Sequence, residues 1–371
     1  MQMKIRLPDY GNCIANLPNS ILSWFSIDPG RPTLPLLDDL LERSPRVQNV
    51  VLLLLDGMGS CILEENLRPE GFFRSHLCGS YLSTFPPTTV AATTSILSGM
   101  DPCEHGWLGW DCFFPEIGKN VTVFRNTETG TEKPAAAFHV AETCRGYESV
   151  ISRIRKEGRE AFFLSPFADP PLTNLPDLLG AIIDVTERPG KKYVYAYWPE
   201  PDSTMHRTGC YSRASREVLR DLEISVENLC RSLPKGTLLL LTADHGHLNT
   251  EGIALEDFPE IEACLKLAPS IEARALSCFV HPGMERDFEK AFSDAFGDQY
   301  LLLPREEVIA RKLFGSGPEH AMFRASLGDY LCLAFGLKAV YASKKEAEHF
   351  IGAHAGLTEN EMVIPLLALE I

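Results

Sequence analysis

The 371-residue sequence predicts an α/β fold, with a mostly parallel central sheet carrying helices on both faces and a small α+β cap. Three observations predict it. Three short runs are apolar at successive positions, as strands buried on both faces are. A segment with helical spacing separates the second run from the third, the order of a right-handed crossover unit. After His247 the texture changes to short alternating strand-like and helix-like segments, a block of ordinary domain size.

The first run is Asn49–Leu55 (NVVLLLL), the second residues 193–198 (YVYAYW) and the third Thr237–Thr242 (TLLLLT). Between the last two, Val218, Leu222, Val226 and Leu229 fall on one helical face of residues 217–233. In the later block, residues 275–280, 300–303, 329–335 and 339–341 read as strands, and 285–296 and 306–314 as helices. The tail at 361–369 (EMVIPLLAL) reads as a return to the core. These segments divide the chain into a catalytic core of residues 1–250 and 346–371 and a cap at 251–345. Removing that cap is expected to change substrate choice more than metal content.

Composition excludes several classes. With 45% hydrophobic and 23% charged residues the chain is neither disordered nor fibrous. Thirty-five basic and 50 acidic residues give a net charge of −15, which argues against nucleic-acid polymers and anionic membranes. A small anionic substrate stays open, because bound divalent metals reverse a local field. The start, MQMKIRLPDYGNC, lacks an apolar signal core, and no apolar run is long enough to span a bilayer. The eleven scattered cysteines form no CxxC pair and fit reduced thiols. The expected location is therefore cytoplasmic.

Each buried run ends in acidic residues: Asp56-Gly57-Met58-Gly59, then Glu200-Pro201-Asp202 followed by His206, then Asp244-His245-Gly246-His247. Ligands of open α/β sheets bind beyond the carboxyl ends of the strands, so Asp56, Asp202 and Asp244 should converge. Three converging carboxylates repel one another unless cations hold them. With histidines beside two of them, divalent metal is the economical solution, zinc first. Each piece alone has a plainer reading: a turn at Asp56-Gly57, a helix cap at Asp202, a hydrogen-bonded Asp244–His245 pair. Their joint occurrence favours the metal. The stretch Phe85-Pro86-Pro87-Thr88-Thr89 precedes a helix that Gly99 is suited to end. A hydroxyl there either caps the helix or, beside a metal, becomes a nucleophile where the helix favours an anion.

Together these motifs resemble the alkaline phosphatase superfamily, in its nucleotide pyrophosphatase/type I phosphodiesterase branch. The resemblance covers residues 45–250 and the last part of the chain. Residues 54–59 look like its first metal motif, 85–89 like its nucleophile motif, 200–206 like Glu-Pro-Asp-x-x-x-His and 242–246 like its Asp-His-Gly motif; His354-Ala355-Gly356 fits the last histidine ligand. The resemblance implies an alkaline-phosphatase-like core with two divalent metals, zinc first, manganese or iron next. One metal would be held by Asp202, His206 and His354, the other by Asp56, Thr89, Asp244 and His245. It also implies attack by Thr89, a phosphothreonine intermediate and hydrolysis by water.

One departure stands out. Diesterases of this branch often carry an Asn about 21 residues past the nucleophile to bind a phosphoryl oxygen. Counting from Thr89 reaches Trp110 instead. Trp107 and Trp110 would stack on a base or line a leaving-group pocket, or else pack as core aromatics. Nothing in the sequence selects a guanidinium for the phosphate from Arg125, Arg145 or Arg324.

The expected function is a two-metal phosphodiesterase or nucleotide pyrophosphatase on a small, nucleotide-like substrate, without nucleic-acid polymer or membrane. Alternatives on the same core are a phosphomonoesterase or a phosphonoacetate-hydrolase-like C–P hydrolase. A phosphosugar mutase usually uses Ser and other ligands, and no sulfatase Cys-x-Pro-x-Arg motif is present. A silent metal- or nucleotide-binding protein is disfavoured because every ligand and the nucleophile are there.

Overall fold

The computed structural model describes residues 4–371, so the first three residues of the N-terminal stretch read above lie outside it. Its central sheet has six strands: β1 (Asn49–Leu55), β2 (Leu77–Leu82), β3 (Glu160–Leu164), β4 (Lys192–Trp198), β5 (Thr237–Thr242) and β6 (Val363–Glu370). Their order is β2-β6-β5-β1-β4-β3. β5, β1, β4 and β3 run parallel, and every residue of β1 and β5 is buried. Runs apolar at successive positions are what strands enclosed on both faces need.

The sheet is mixed, where the sequence predicts a mostly parallel one. β6 lies between β5 and β2 and is antiparallel to both. The reason is where the chain re-enters. Glu361 O accepts from Gly246 N–H at 2.8 Å, so the chain meets β5 at its carboxyl end and can only run back along it. Helix Arg213–Ser232 joins β4 to β5 as expected, but β1 separates the two strands in the sheet.

A second sheet has seven strands, and every pair in it is antiparallel. It runs Tyr300–Pro304, Tyr330–Ala334, Ala275–Cys278, Ser270–Glu272, Asp111–Phe114, Lys119–Thr122 and Thr127–Glu128. The strands expected in the cap are present, but the sheet also takes three strands from residues 111–128, ahead of the expected boundary. Ile271 pairs with Asp111 at the join. The helix expected at 306–314 is shorter, Arg305–Ala310, and Lys312 at φ +54° breaks the helical path beyond it.

Two ribbons tie the sheets to the site. Glu251–Ala254 pairs in parallel with Lys338–Tyr341, and Leu248–Asn249 pairs antiparallel with Gly352–Ala353. No helix among the described residues is long and apolar enough to cross a membrane.

Candidate metal centre

Register sets the site. Leu54 is level with Thr242, so Asp56 and Asp244, each two residues further on, emerge side by side. Leu55 is level with Trp198, and Asp202 then opens helix α1 (Asp202–Thr208). Main-chain bonds lock this corner: Asp56 N–H donates to Trp198 O and Asp202 N–H to Asp56 O, both at 3.0 Å. Gly57 has φ +72°, and a Cβ there would lie 2.9 Å from Asp202 Cβ. Only glycine lets the two acidic turns touch.

Asp56, Asp244 and His245 offer ligand atoms all within 4.8 Å of one another. His245 Nε2 is 3.3 Å from Asp56 Oδ1 and 3.5 Å from Asp244 Oδ2. His245 Nδ1 lies 2.9 Å from Gly246 O, so Nδ1 carries the proton and the Nε2 lone pair faces the carboxylates. Tyr197 O–H donates to Asp56 Oδ2, and Gly57 N–H donates to Asp244 Oδ1 at 3.1 Å. Thr89 is the first residue of a ten-residue helix, Thr89–Ser98, which Gly99 ends at φ +72°. Its Oγ1 lies 3.3 Å from His245 Nε2 and 3.4 Å from Asp56 Oδ2. Thr88 occupies the N-cap position without capping; its hydroxyl donates to Glu272 instead.

The second half centres on Asp202. Its Oδ1 lies 3.4 Å from His206 Nε2 and 3.9 Å from His354 Nε2. His206 Nδ1 is 2.8 Å from Gly352 O and His354 Nδ1 is 3.1 Å from Pro87 O, so both rings direct Nε2 inward. His354 stacks on His245 at 3.7 Å between ring centroids, joining the two halves. All seven residues of the two expected ligand sets thus meet at one end of the central sheet. An eighth, His247, joins them, with Nδ1 3.0 Å from Asp202 Oδ1.

Charge and burial fit cations. Burial pushes the Asp56 carboxyl well above its ordinary range, with Asp244 and Asp202 adding to it. Burial also disfavours the Asp202 anion, but His206 and His247 outweigh it and hold the carboxyl well below its usual range. Burial keeps His206 neutral down to about 4 and takes His354 well below the ordinary histidine value, with His245 adding to it. Asp56 Oδ1, Asp202 Oδ1, Asp244 Oδ2 and both ring nitrogens of His247 are buried without a hydrogen-bond partner. Each such atom costs about 1–3 kcal/mol if it stays unpaired. A set of oxygen and imidazole donors sharing one dry corner suits divalent transition metals.

The tryptophans part company. Trp107 is 7% exposed, and its Nε1–H donates to Arg145 O at 2.9 Å, so it packs in the core. Trp110 is 38% exposed, and its backbone N–H donates to Glu272 Oε1 at 3.0 Å. Glu272 therefore engages the position 21 residues past Thr89, next to Thr88. Burial raises its carboxyl to about 7 against the opposing bonds from Thr88 and Trp110. Arg145 is buried against Glu116 and Ser326, and Arg324 pairs with Glu319. His247, Glu272 and Tyr197 also reach this corner, although the sequence motifs do not mark them as site residues. Only His247 carried a local signal, two positions past His245.

The sequence profile of the Type I phosphodiesterase / nucleotide pyrophosphatase family matches residues 50–275, more than half of the chain. A search of curated proteins finds no match. Among solved structures, human ectonucleotide pyrophosphatase / phosphodiesterase 5 is 16% identical, with 86% of this chain and 87% of that one covered at a TM-score of 0.68. Its murine counterpart, an inactive form in complex with AMP, is also 16% identical, with 86% and 87% covered and a TM-score of 0.66. Phosphonoacetate hydrolase from Sinorhizobium meliloti 1021, in complex with phosphonoformate, is 14% identical, with 88% and 90% covered and a TM-score of 0.62. At these identities the structural matches speak for the fold.

Proposed function

Because the chain belongs to the type I phosphodiesterase / nucleotide pyrophosphatase family of metal-dependent phosphoester hydrolases, we propose that it cleaves small nucleotide-like phosphodiesters or pyrophosphates, with Thr89 as nucleophile. One observation carries this reading. The Thr89 hydroxyl stands at a helix N-terminus, within 3.4 Å of both Asp56 and His245.

Asp56, Thr89, Asp244 and His245 would hold one divalent metal and Asp202, His206 and His354 the other, zinc being the first choice for a mixed carboxylate–imidazole set. Such metals lower the pKa of a nearby hydroxyl and neutralise phosphoryl charge when bound. The rest is done by the chain. Helix Thr89–Ser98 presents free N–H groups to the phosphoryl oxygens. Tyr197 and the main chain at Gly57 hold Asp56 and Asp244 in place. Thr89 Oγ1 gives its proton to solvent water and forms a bond to phosphorus as the bond to the leaving oxygen breaks, and that oxygen takes a proton from water. Water then attacks phosphorus, the Thr89 Oγ1–P bond breaks, and Thr89 recovers its proton. Trp110, the exposed member of the tryptophan pair, would meet the leaving group.

The test is a paired assay on zinc-loaded protein. A nitrophenyl ester of a nucleoside monophosphate is compared with nitrophenyl phosphate, with Thr89→Ala as blank for each. The expected result is a diester preference lost by at least about 10³-fold in Thr89→Ala, the scale on which removing a nucleophile acts. A Thr89-dependent preference for the monoester would transfer the assignment to a phosphomonoesterase.

A further inference from the structure

We propose that His247 is a fourth protein ligand of the Asp202 metal site, which would then take its divalent metal through one carboxylate and three imidazoles: Asp202, His206, His247 and His354. The inference rests on the proposed reading that this half of the centre binds a metal.

His247 is completely buried, and neither ring nitrogen has a hydrogen-bond partner. Its Nδ1 lies 3.0 Å from Asp202 Oδ1, yet that oxygen is also without a partner, because the two atoms approach without the alignment a hydrogen bond requires. Two buried polar atoms that lie side by side and share no proton are both free to coordinate one ion.

Asp202, His206 and His247 offer ligand atoms all within 4.8 Å of one another, while His354 groups with Asp202 and His245. Asp202 Oδ1 is 3.0, 3.4 and 3.9 Å from His247 Nδ1, His206 Nε2 and His354 Nε2. A tetrahedral zinc with bonds of about 2.0–2.1 Å has donor–donor edges of roughly 3.3–3.4 Å, which the Asp202–His247 and Asp202–His206 spacings bracket, with His354 the donor that must close in. The three rings lie close to one another, with centroids 4.6, 5.2 and 5.4 Å apart. His206 and His354 each spend Nδ1 on a backbone carbonyl and offer Nε2, whereas His247 offers Nδ1.

Main-chain register produces the arrangement. Leu248 pairs with Ala353, so His247 and His354 are next to each other across the ribbon. Ile351 N–H donates to His206 O at 2.8 Å and pins the same ribbon to the helix that carries Asp202 and His206. A packing histidine would have a partner for its N–H, and an outer-shell histidine would donate squarely to the carboxylate; His247 does neither. A third imidazole also shifts the site away from magnesium, calcium and manganese and toward zinc.

The experiment uses full-length zinc-loaded protein as wild type, His247→Asn, His206→Asn and the exposed control His281→Asn. Zinc content, chelator competition and the visible spectrum after cobalt substitution are recorded. His247→Asn is expected to weaken one of the two metal equivalents by more than about 100-fold, beyond the 10–100-fold of an outer-shell partner, and to change the cobalt bands. It should match His206→Asn in both respects, with His281→Asn unchanged. A His247→Asn protein with wild-type cobalt bands, or a loss within the outer-shell range, overturns the inference while His206→Asn still upholds the metal site. If His206→Asn also keeps both equivalents, the metal reading itself falls and the inference with it. Should His247→Asn not fold, a zinc-edge anomalous crystal structure of the wild type decides: Nδ1 at about 2.0–2.1 Å from zinc supports the ligand, and Nδ1 donating to Asp202 beyond bonding distance of the metal overturns it.

Discussion

Gly57 and Glu272 show how single side chains set the site's limits. Gly57 needs both a left-handed backbone and the absence of a Cβ, since that atom would press on Asp202 Cβ at 2.9 Å. Gly57→Ala should cost at least about 1–2 kcal/mol from backbone strain alone, measured by denaturant unfolding, and should weaken zinc retention as Asp202 moves. Glu272 acts through its charge. With its carboxyl raised to about 7, it is neutral below that pH and anionic above it. An anion beside Thr88 repels an incoming phosphate, while a protonated carboxyl does not. The kcat/KM of wild type on an anionic diester should therefore fall relative to Glu272→Gln as pH rises from 6 through about 7 to 8.5, the wild type losing proton-bearing enzyme while the amide stays neutral. Parallel pH profiles for the two proteins would remove Glu272 from the phosphate's surroundings. In the sequence, Asp56, Thr89, Asp202, His206, Asp244, His245 and His354 were legible because each sits in a short motif. Glu272 was not, because its neighbours Thr88 and Trp110 are more than 160 residues away along the chain.

Among the elements, the ribbon of Leu248–Asn249 with Gly352–Ala353 is small for what it positions. It aligns His354 with His247, and Gly352 O accepts from His206. A Cβ on Gly352 would lie 2.7 Å from Met205 O and 2.8 Å from His247 Nε2. Gly352→Ala should therefore lower zinc affinity at the Asp202 half while the Asp56 half retains its equivalent, as read by stepwise chelation. Equal loss from both halves would mean that the ribbon supports the whole site rather than one side. The sequence located strands β1, β4 and β5 because unbroken apolar runs report burial on both faces. Two-residue strands leave no such pattern, since their pairing depends on a partner about 100 residues distant.

Across the whole molecule, the two sheets are fastened by an ion pair. Arg274 donates to both oxygens of Glu361 at 2.7 and 2.9 Å, and both side chains are wholly buried. Glu361 also accepts from Gly356 N–H and Thr358 N–H, and its backbone carbonyl holds Gly246 in the Asp244-His245-Gly246 turn. Removing one partner strands a buried charge. Arg274→Met should lower stability by about 3–5 kcal/mol in denaturant unfolding. For the same reason, deleting residues 251–345 should yield a protein that does not fold rather than one with altered substrate choice. The deletion removes Arg274 and leaves the edge of Asp111–Phe114 unpaired. A soluble, zinc-binding deletion product would show that the block is separable after all.

The sequence alone determined three of the four parallel strands (β1, β4 and β5), the helix carrying Thr89 and the acidic turns after those strands, because burial periodicity and strand-end chemistry are local properties. Tertiary structure decided the direction of β6, the membership of the second sheet, the burial of Trp107 and the arrival of His247 and Glu272 at the site. Each of these depends on which distant backbone a segment pairs with, and pairing is settled by register and the direction of chain entry rather than by the composition of the segment itself.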